Sequence, residues 1–364
     1  MIDNVILTTE NCRYCLMCRH VCPVGHVTRK ETLTPHGWGL TIASVRRGLI
    51  EWDESSVDVL YSCADCGTCR AHCVTDQPLP SAIAAARSEV ASQNRAPEIA
   101  YTVHDKLRDW GNPYVEKHPK KVDEKADFAL FVGDDACYLD DGTLDAALQL
   151  LNAVGVQPVL IGVGRNNGYL ATSLGFPETA ASLAQATLDE LEGTGAKTML
   201  VLTPGDYYVF NQLLDERLGI EWSTEIALQE LVPFLCDRQI GGDLQLKQAA
   251  GTKPYAYVDP THSVRVTSRY DAPRSLLSAV LTGPSHELFW RRERSHPCGN
   301  VGLEYTQPHI STHLTYSRLA DAQQSGAQLI ITEDPGSLAQ LSKYAFRFDL
   351  EVQGLYQLLA QHIV

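Results

Sequence analysis

The sequence predicts a multidomain α and α/β protein, with an α-helical N-terminal domain followed by two pseudo-repeated α/β halves. Three observations lead there. The first 93 residues set helical stretches around two short cysteine runs. From about residue 127, β-rich runs alternate with helical stretches, the pattern of a parallel sheet with crossover helices. That alternation recurs after residue 250, and each half ends on a strand followed by a Pro/Gly turn, Thr203-Pro204-Gly205 and Thr332-Glu333-Asp334-Pro335-Gly336. The expected divisions are residues 1–93, a helical connector 94–126, a first half 127–250 and a second half 251–364.

Each element has its own signal. Gly39 to Ile50 keeps apolar residues at helical spacing. Asp53 to Tyr61 opens with acidic and Ser residues suited to a first turn. Pro80 to Ser92 is Ala-rich behind a proline, a favoured first helical position. PEIAYTVHDKLRDWG reads as the helix of the connector, and GNPYVEKHPKKVDEK as an exposed linker with Lys117, Lys120 and Lys121 in solvent. In the first half, Phe128 to Val132, Val156 to Ile161 and Thr198 to Leu202 read as buried strands. Leu144 to Leu151 and Ala180 to Leu191 are the helices between them. In the second half the strands are Tyr255 to Val258 and Gln328 to Ile331, with helices around Ser275 to Leu281 and His313 to Gln323.

Bulk properties narrow the function. The chain has 364 residues, 44% hydrophobic and 20% charged, with a formal net charge of −14. An acidic surface argues against nucleic acid, since phosphate binding needs basic residues, and against electrostatic attachment to anionic lipid. MIDNVILTTENC has neither a charged n-region nor a long apolar h-region, so no signal peptide is expected. No apolar run approaches the ~20 residues needed to span a bilayer. The expected location is the cytoplasm, with any peripheral contact to the inner face of the membrane made through a partner.

The cysteines carry the chemistry. Cys12, Cys15, Cys18 and Cys22 form a C-x-x-C-x-x-C-x-x-x-C run, and Cys63, Cys66, Cys69 and Cys73 repeat it with the same offsets. Three thiolates at i, i+3 and i+6 can wrap one face of an iron–sulfur cube, while the fourth lies too far along and ligates the neighbouring cluster. The expected sets are crossed: Cys12, Cys15 and Cys18 with Cys73, and Cys63, Cys66 and Cys69 with Cys22. Pro23 follows the first run, as bacterial ferredoxin-type sites prefer; Val74 follows the second. Structural zinc uses paired C-x-x-C units, and disulfide frameworks suit short secreted domains, so two [4Fe–4S] clusters are the expectation. Gly162-Val163-Gly164 follows a strand but lacks the third glycine of a dinucleotide loop.

Two widely separated runs before a duplicated α/β region resemble the iron–sulfur subunits of glycolate oxidase and anaerobic glycerol-3-phosphate dehydrogenase. The D-type subunits of heterodisulfide reductase and the lactate-utilisation iron–sulfur proteins share this plan. Leu33-Thr34-Pro35-His36-Gly37 resembles that family's Ser-Pro-Arg-Gly segment. The family places a lone cysteine, a Cys-Cys-Gly motif and a late C-x-x-C in each half. Here the first half reads Cys137, Asn166-Asn167-Gly168 and Gly205-Asp206-Tyr207-Tyr208; the second reads Asp259-Pro260-Thr261-His262, Pro297-Cys298-Gly299 and Asp334-Pro335-Gly336-Ser337. The motif skeletons remain while most thiolates are gone. Iron in a sulfide cluster needs soft anionic ligands, so no cluster is expected in these degenerate halves. Cys137, Cys236 and Cys298 are expected as small buried hydrophobes. A vacated pocket rimmed by Asn166, Asn167, Tyr207, Tyr208, His262 and Arg265 is expected at the C-terminal edge of the duplicated sheet.

The resemblance implies an electron-transfer subunit that is not itself catalytic. The donor would be a flavoprotein dehydrogenase subunit, with FAD or FMN only on that partner. The acceptor would be a quinone, an electron-transfer flavoprotein or another carrier. An alternative expectation is that the vacated pocket itself binds a quinone or small organic substrate and is a reaction site.

Overall fold

The computed structural model describes residues 6, 9–116, 125–140, 142–222, 225–263 and 269–364; Lys117, Lys120, Lys121 and Arg265 lie outside them. In the N-terminal region, helix boundaries follow their caps. The Thr34 hydroxyl accepts the Gly37 amide at 3.3 Å and Pro35 occupies the first turn, so the helix spans Pro35–Arg46. The helix expected over Gly39 to Ile50 therefore starts and ends earlier. Its chain leaves the helix at Gly48, φ 68°, where a left-handed residue stops the α-helical path. Asp53 and Ser56 bond each other's backbone reciprocally and open Glu54–Tyr61. Leu79–Ser92 and Glu98–Trp110 follow, the latter closed by Gly111 at φ 78°.

The α/β region holds two parallel four-stranded sheets. The first contains β1 (Phe128–Gly133), β2 (Val159–Val163), β3 (Thr198–Val201) and β4 (Ala227–Glu230), in the order β2-β1-β3-β4. The second contains β5 (Tyr255–Tyr257), β6 (Ser285–His286), β7 (Leu329–Thr332) and β8 (Glu351–Gly354), in the order β6-β5-β7-β8. The two orders are the same, as duplication requires. β1 and β3 are continuous apolar runs because helices cover both faces of a parallel sheet. The strand expected over Val156 to Ile161 lies two to three residues later, beyond Pro158, which has no amide to give to a ladder. β4, β6 and β8 are additions to the expected strands. Each is a short edge strand with polar residues, so it shows no buried apolar run.

Packing joins these parts at shared cores. Ile42, Leu60 and Ile83 of the N-terminal helices bury against Leu170 and Leu174 of the first half and Leu303 and Leu314 of the second. Leu130 and Leu200 of the first sheet share a core with Tyr255, Tyr257 and Ile331 of the second. A fully buried leucine contributes roughly 1.5–3 kcal/mol. Arg87, 3% exposed, adds a polar tie: its guanidinium donates to the carbonyls of Leu60, Cys63 and Ser173. The second cysteine run is thus fastened to both its own helix and the first half.

Candidate functional site

Both cysteine runs use the same backbone device. In the first, Tyr14 and Leu16 are left-handed at φ 54° and 61°; in the second, Asp65 and Gly67 are left-handed at 46° and 80°. These are the second and fourth residues after the first cysteine of each run. Three of them carry side chains, for which this region is sterically costly, and such conformations concentrate where a site over-determines the loop. The reversals turn thiols inward and aim amides at sulfur. Tyr14 N–H approaches Cys12 Sγ at 3.4 Å, Gly25 N–H approaches Cys22 Sγ at 3.4 Å, Asp65 N–H approaches Cys63 Sγ at 3.3 Å and Gln77 N–H approaches Cys73 Sγ at 3.4 Å.

The thiols line two cavities. One, of about 560 Å³ including its open mouth, has Cys12, Cys18, Cys69 and Cys73 in its wall, with Tyr14, His36 and Leu40. The other, about 290 Å³, has Cys22, Cys63, Cys66 and Cys69, with Pro23 and Trp38. Cys69 belongs to both walls. Cys15 is exposed and lines neither, but acts electrostatically on Cys18 together with Cys12 and Cys73. Burial raises the free Cys18 thiol to about 11 and the free Cys63 thiol to about 12. Cys22 is also raised, well above the usual thiol value, again by burial first. Among the described residues, no three His, Cys, Asp or Glu side chains converge on a single-ion position. The donor set suits an iron–sulfur cluster: soft sulfurs around a void, amides directed at them, and His36 Nε2 buried in the first wall with no hydrogen-bond partner among the described residues.

A third cavity lies where the C-terminal edges of the two sheets face each other, with about 800 Å³ of empty space including its mouth. Open α/β sheets bind ligands at this edge. Its polar lining includes Asp134, Asp135, Asp206, Asp334 and Glu304. Burial is the first cause of the raised pKa of each. It lifts Asp134 to about 6 and Asp206 and Glu304 to about 7, and it raises Asp135 and Asp334 as well. The cavity touches the second cysteine run directly. Tyr169 donates its hydroxyl proton to the carbonyl of Asp65 at 2.9 Å, and His262 Nε2 lies 3.0 Å from that hydroxyl and 3.3 Å from the same carbonyl.

A 4Fe–4S dicluster domain matches residues 8–76. The D-type subunit of the dihydromethanophenazine:CoB–CoM heterodisulfide reductase of Methanosarcina barkeri is 24% identical over 325 residues, covering 85% of this chain and 79% of that one. Over most of its length the chain is therefore similar to the D-type iron–sulfur subunits of heterodisulfide reductase. The corresponding Methanosarcina mazei subunit is 23% identical with the same coverage. A probable membrane-anchored ferredoxin of Chromohalobacter salexigens is 24% identical over 221 residues, but the match spans 33% of that protein. A Helicobacter pylori protein of known crystal structure aligns with TM-score 0.63 at 10% identity, over 90% of this chain and 68% of that one, which shows the fold alone. Among the described residues no helix is long and apolar enough to cross a membrane.

In this iron–sulfur protein the degenerate motif positions meet at the third cavity: Asn166, Asn167, Asp206, Thr261, His262 and Asp334 all line it. Two expected rim residues do not. Tyr208 is 2% exposed and stacks against His262, ring centroids 5.3 Å apart and planes 18° apart, while Tyr207 packs against the first half's core. They fall on the helix Pro204–Tyr208, whose turn carries Asp206 toward the cavity and the tyrosines away from it. The carboxylates Asp134, Asp135 and Glu304 escaped sequence reasoning. The available signal was Asp134 and Asp135 directly after β1, at a strand's C-terminal end. Cys236 and Cys298 are buried, as expected of small hydrophobes, whereas Cys137 is half-buried.

Proposed function

We propose that the chain relays single electrons through two [4Fe–4S] clusters, one held by Cys12, Cys15, Cys18 and Cys73 and one by Cys63, Cys66, Cys69 and Cys22. The observation that carries this is the crossing of the runs: Cys73 faces the cavity of the first run, and Cys22 faces that of the second. Cysteine-ligated cubanes supply one-electron chemistry. The chain's residues exclude water with Trp38 and Pro35, direct amides at sulfur, and hold the two sites against one shared wall at Cys69. The divisions at residues 93, 126 and 250 belong to this reading, with the α/β halves as the structural part. Its partners would be a flavoprotein dehydrogenase subunit bearing FAD or FMN on one side, and a quinone, electron-transfer flavoprotein or other carrier on the other. The heterodisulfide reductase subunits it resembles support a multi-subunit oxidoreductase. Anaerobic purification tests it: about eight iron atoms per chain and a co-purifying flavoprotein are expected. Clearly more iron would mean a further cluster in the α/β halves, and an isolated chain turning over substrate would reject the relay.

A second reading is favoured by one observation, the hydrogen bonds from Tyr169 and His262 to the loop of the second run. The third cavity would then bind a quinone or small organic molecule beside that run. Unchanged reduction of a quinone by a His262→Ala variant would discard it.

A further inference from the structure

We propose that the surface around Cys15 is the docking face for an acidic redox protein. This rests on the relay reading above and adds where, and to what, the chain docks. Cys15 is exposed, and the exposed apolar side chains Tyr14, Met17, Leu40 and Val74 belong to the same surroundings. Tyr14 and Leu40 line the first thiol cavity, Met17 precedes Cys18, and Val74 follows Cys73. An apolar centre over a solvent-reaching thiol set lets a partner's centre approach closely while water is expelled.

Charge decides what kind of partner fits. Between residues 13 and 47 stand Arg13, Arg19, Arg29, Lys30, Arg46 and Arg47, against a single acid, Glu31. The whole chain has 30 Lys and Arg against 44 Asp and Glu, so this segment reverses the sign of the molecule. Arg19 pairs with Glu31, which brings the Arg29-Lys30-Glu31 turn beside the helix that follows Cys15. Arg13, Arg29 and Lys30 are exposed. Exposed cations concentrated in the segment that carries this apolar centre, on an otherwise acidic protein, steer and orient an acidic surface, and they repel a basic one.

The test uses anaerobically prepared holoprotein, a small acidic [2Fe–2S] ferredoxin as probe, and a small basic c-type cytochrome as its opposite. Binding is read calorimetrically between about 20 mM and about 0.3 M salt, a range over which screening shortens severalfold. The ferredoxin should bind at low salt and weaken with salt, while the cytochrome should not compete for the face. Arg29→Glu with Lys30→Glu, outside both cysteine runs, should weaken ferredoxin binding about tenfold or more and flatten its salt dependence. Lys197→Glu with Lys247→Glu, exposed cations of the α/β halves, should leave binding unchanged. Salt-independent binding, equal effects of the two double variants, or binding to phosphatidylserine vesicles but not to ferredoxin would overturn the proposal. Iron content and the electron paramagnetic resonance spectrum keep the two readings apart. Missing iron counts against the relay, whereas intact spectra with no salt-sensitive binding count against the docking face alone.

Discussion

Arg217 holds the loop of the second cysteine run, and its removal is the sharpest test of how that loop is built. The residue lies in the last turn of a π-helix, Val209–Leu218, and its guanidinium meets the Asp65 carboxylate with two parallel bonds of 2.8 and 2.7 Å. The partners are 4% and 2% exposed. Asp65 lies between Cys63 and Cys66 in a left-handed conformation, so its side chain anchors the tip of the loop. At a separation of about 4 Å and an effective dielectric of about 20, such a pair gains about 4 kcal/mol, and hydrogen bonds to charged groups contribute roughly 1.5–3 kcal/mol each. Desolvation takes most of that back. The measurable consequence is therefore the orphaned charge: Arg217→Met should cost about 3–5 kcal/mol. The variant removes the Arg217 ion pair from the buried Asp65 carboxylate, while Asp65→Asn combined with Arg217→Met should recover most of the loss, because a neutral pair carries no uncompensated charge. Thermal unfolding of the anaerobic holoprotein reads stability, and a redox titration reads the cluster environment. A single variant costing under about 1 kcal/mol, within the range of an exposed pair, would refute the reasoning. So would a double variant as unstable as the single one.

Other expectations follow from the same geometry. Cys22→Ser should lose the same spectroscopic signal as Cys63→Ser, and Cys73→Ser the same as Cys12→Ser, each leaving about four iron atoms per chain; pairing by run instead would break the crossed assignment. In the third cavity, burial holds Asp206 and Glu304 at about 7 and Asp134 at about 6. The unfolded values are near 4, so the folded state binds more protons. That stabilisation is complete below about pH 4 and is lost as pH rises through about 7. Urea midpoints should fall over this window, and Asp206→Asn should flatten the fall. Gly168 and Gly299 sit at φ 91° and 99°, and a Cβ on Gly168 would lie 2.7 Å from the Ala180 carbonyl oxygen, with Gly299 closer still to that of Ser311. Alanine at either should lower stability by about 1–3 kcal/mol or more, whereas Gly193→Ala, with open space around it, should not.

What could be read in the chain is what is local. The two cysteine runs carry their meaning in spacing, and β1 and β3 carry theirs in unbroken apolar runs. Asp53 opens a helix through Ser56, three residues away. The remainder depends on contacts between distant residues. Asp65 and Arg217 are 152 positions apart, and neither looks like half of an ion pair in isolation. Tyr208 and Asp206 share one short helix, and only the direction of its turn decides which faces the cavity. Edge strands such as β6, two residues long, are formed by the ladder beside them rather than by their own residues.

The degenerate motifs keep the backbone architecture of the family's cysteine motifs while most of the thiolate positions carry other residues. Gly168 and Gly299 remain because the following helices come too close for a side chain. The positions beside Gly168 carry amide oxygen and nitrogen where the family pattern has soft sulfur, and these amides pair with acids. Asn166 donates to Asp134 at 3.0 Å, Asn167 to Asp206 at 2.8 Å and Asn300 to Asp334 at 3.2 Å. Each amide satisfies a buried carboxyl group that would otherwise cost several kcal/mol to desolvate, so polar pairs line the cavity at Asn166 and Asn167, where the family pattern has thiolates, and at Asn300 beside Gly299. Such a lining can bind and release protons near neutrality, which a lining of cubane-bound thiolates does not do. The two readings of function therefore make different demands on the electron acceptor. On the relay reading, a carrier that takes only electrons would dock at the exposed face around Cys15. A molecule reduced in the cavity, beside Tyr169 and His262, would find carboxyl protons within the same walls, and quinones are one class of acceptor that takes up both electrons and protons.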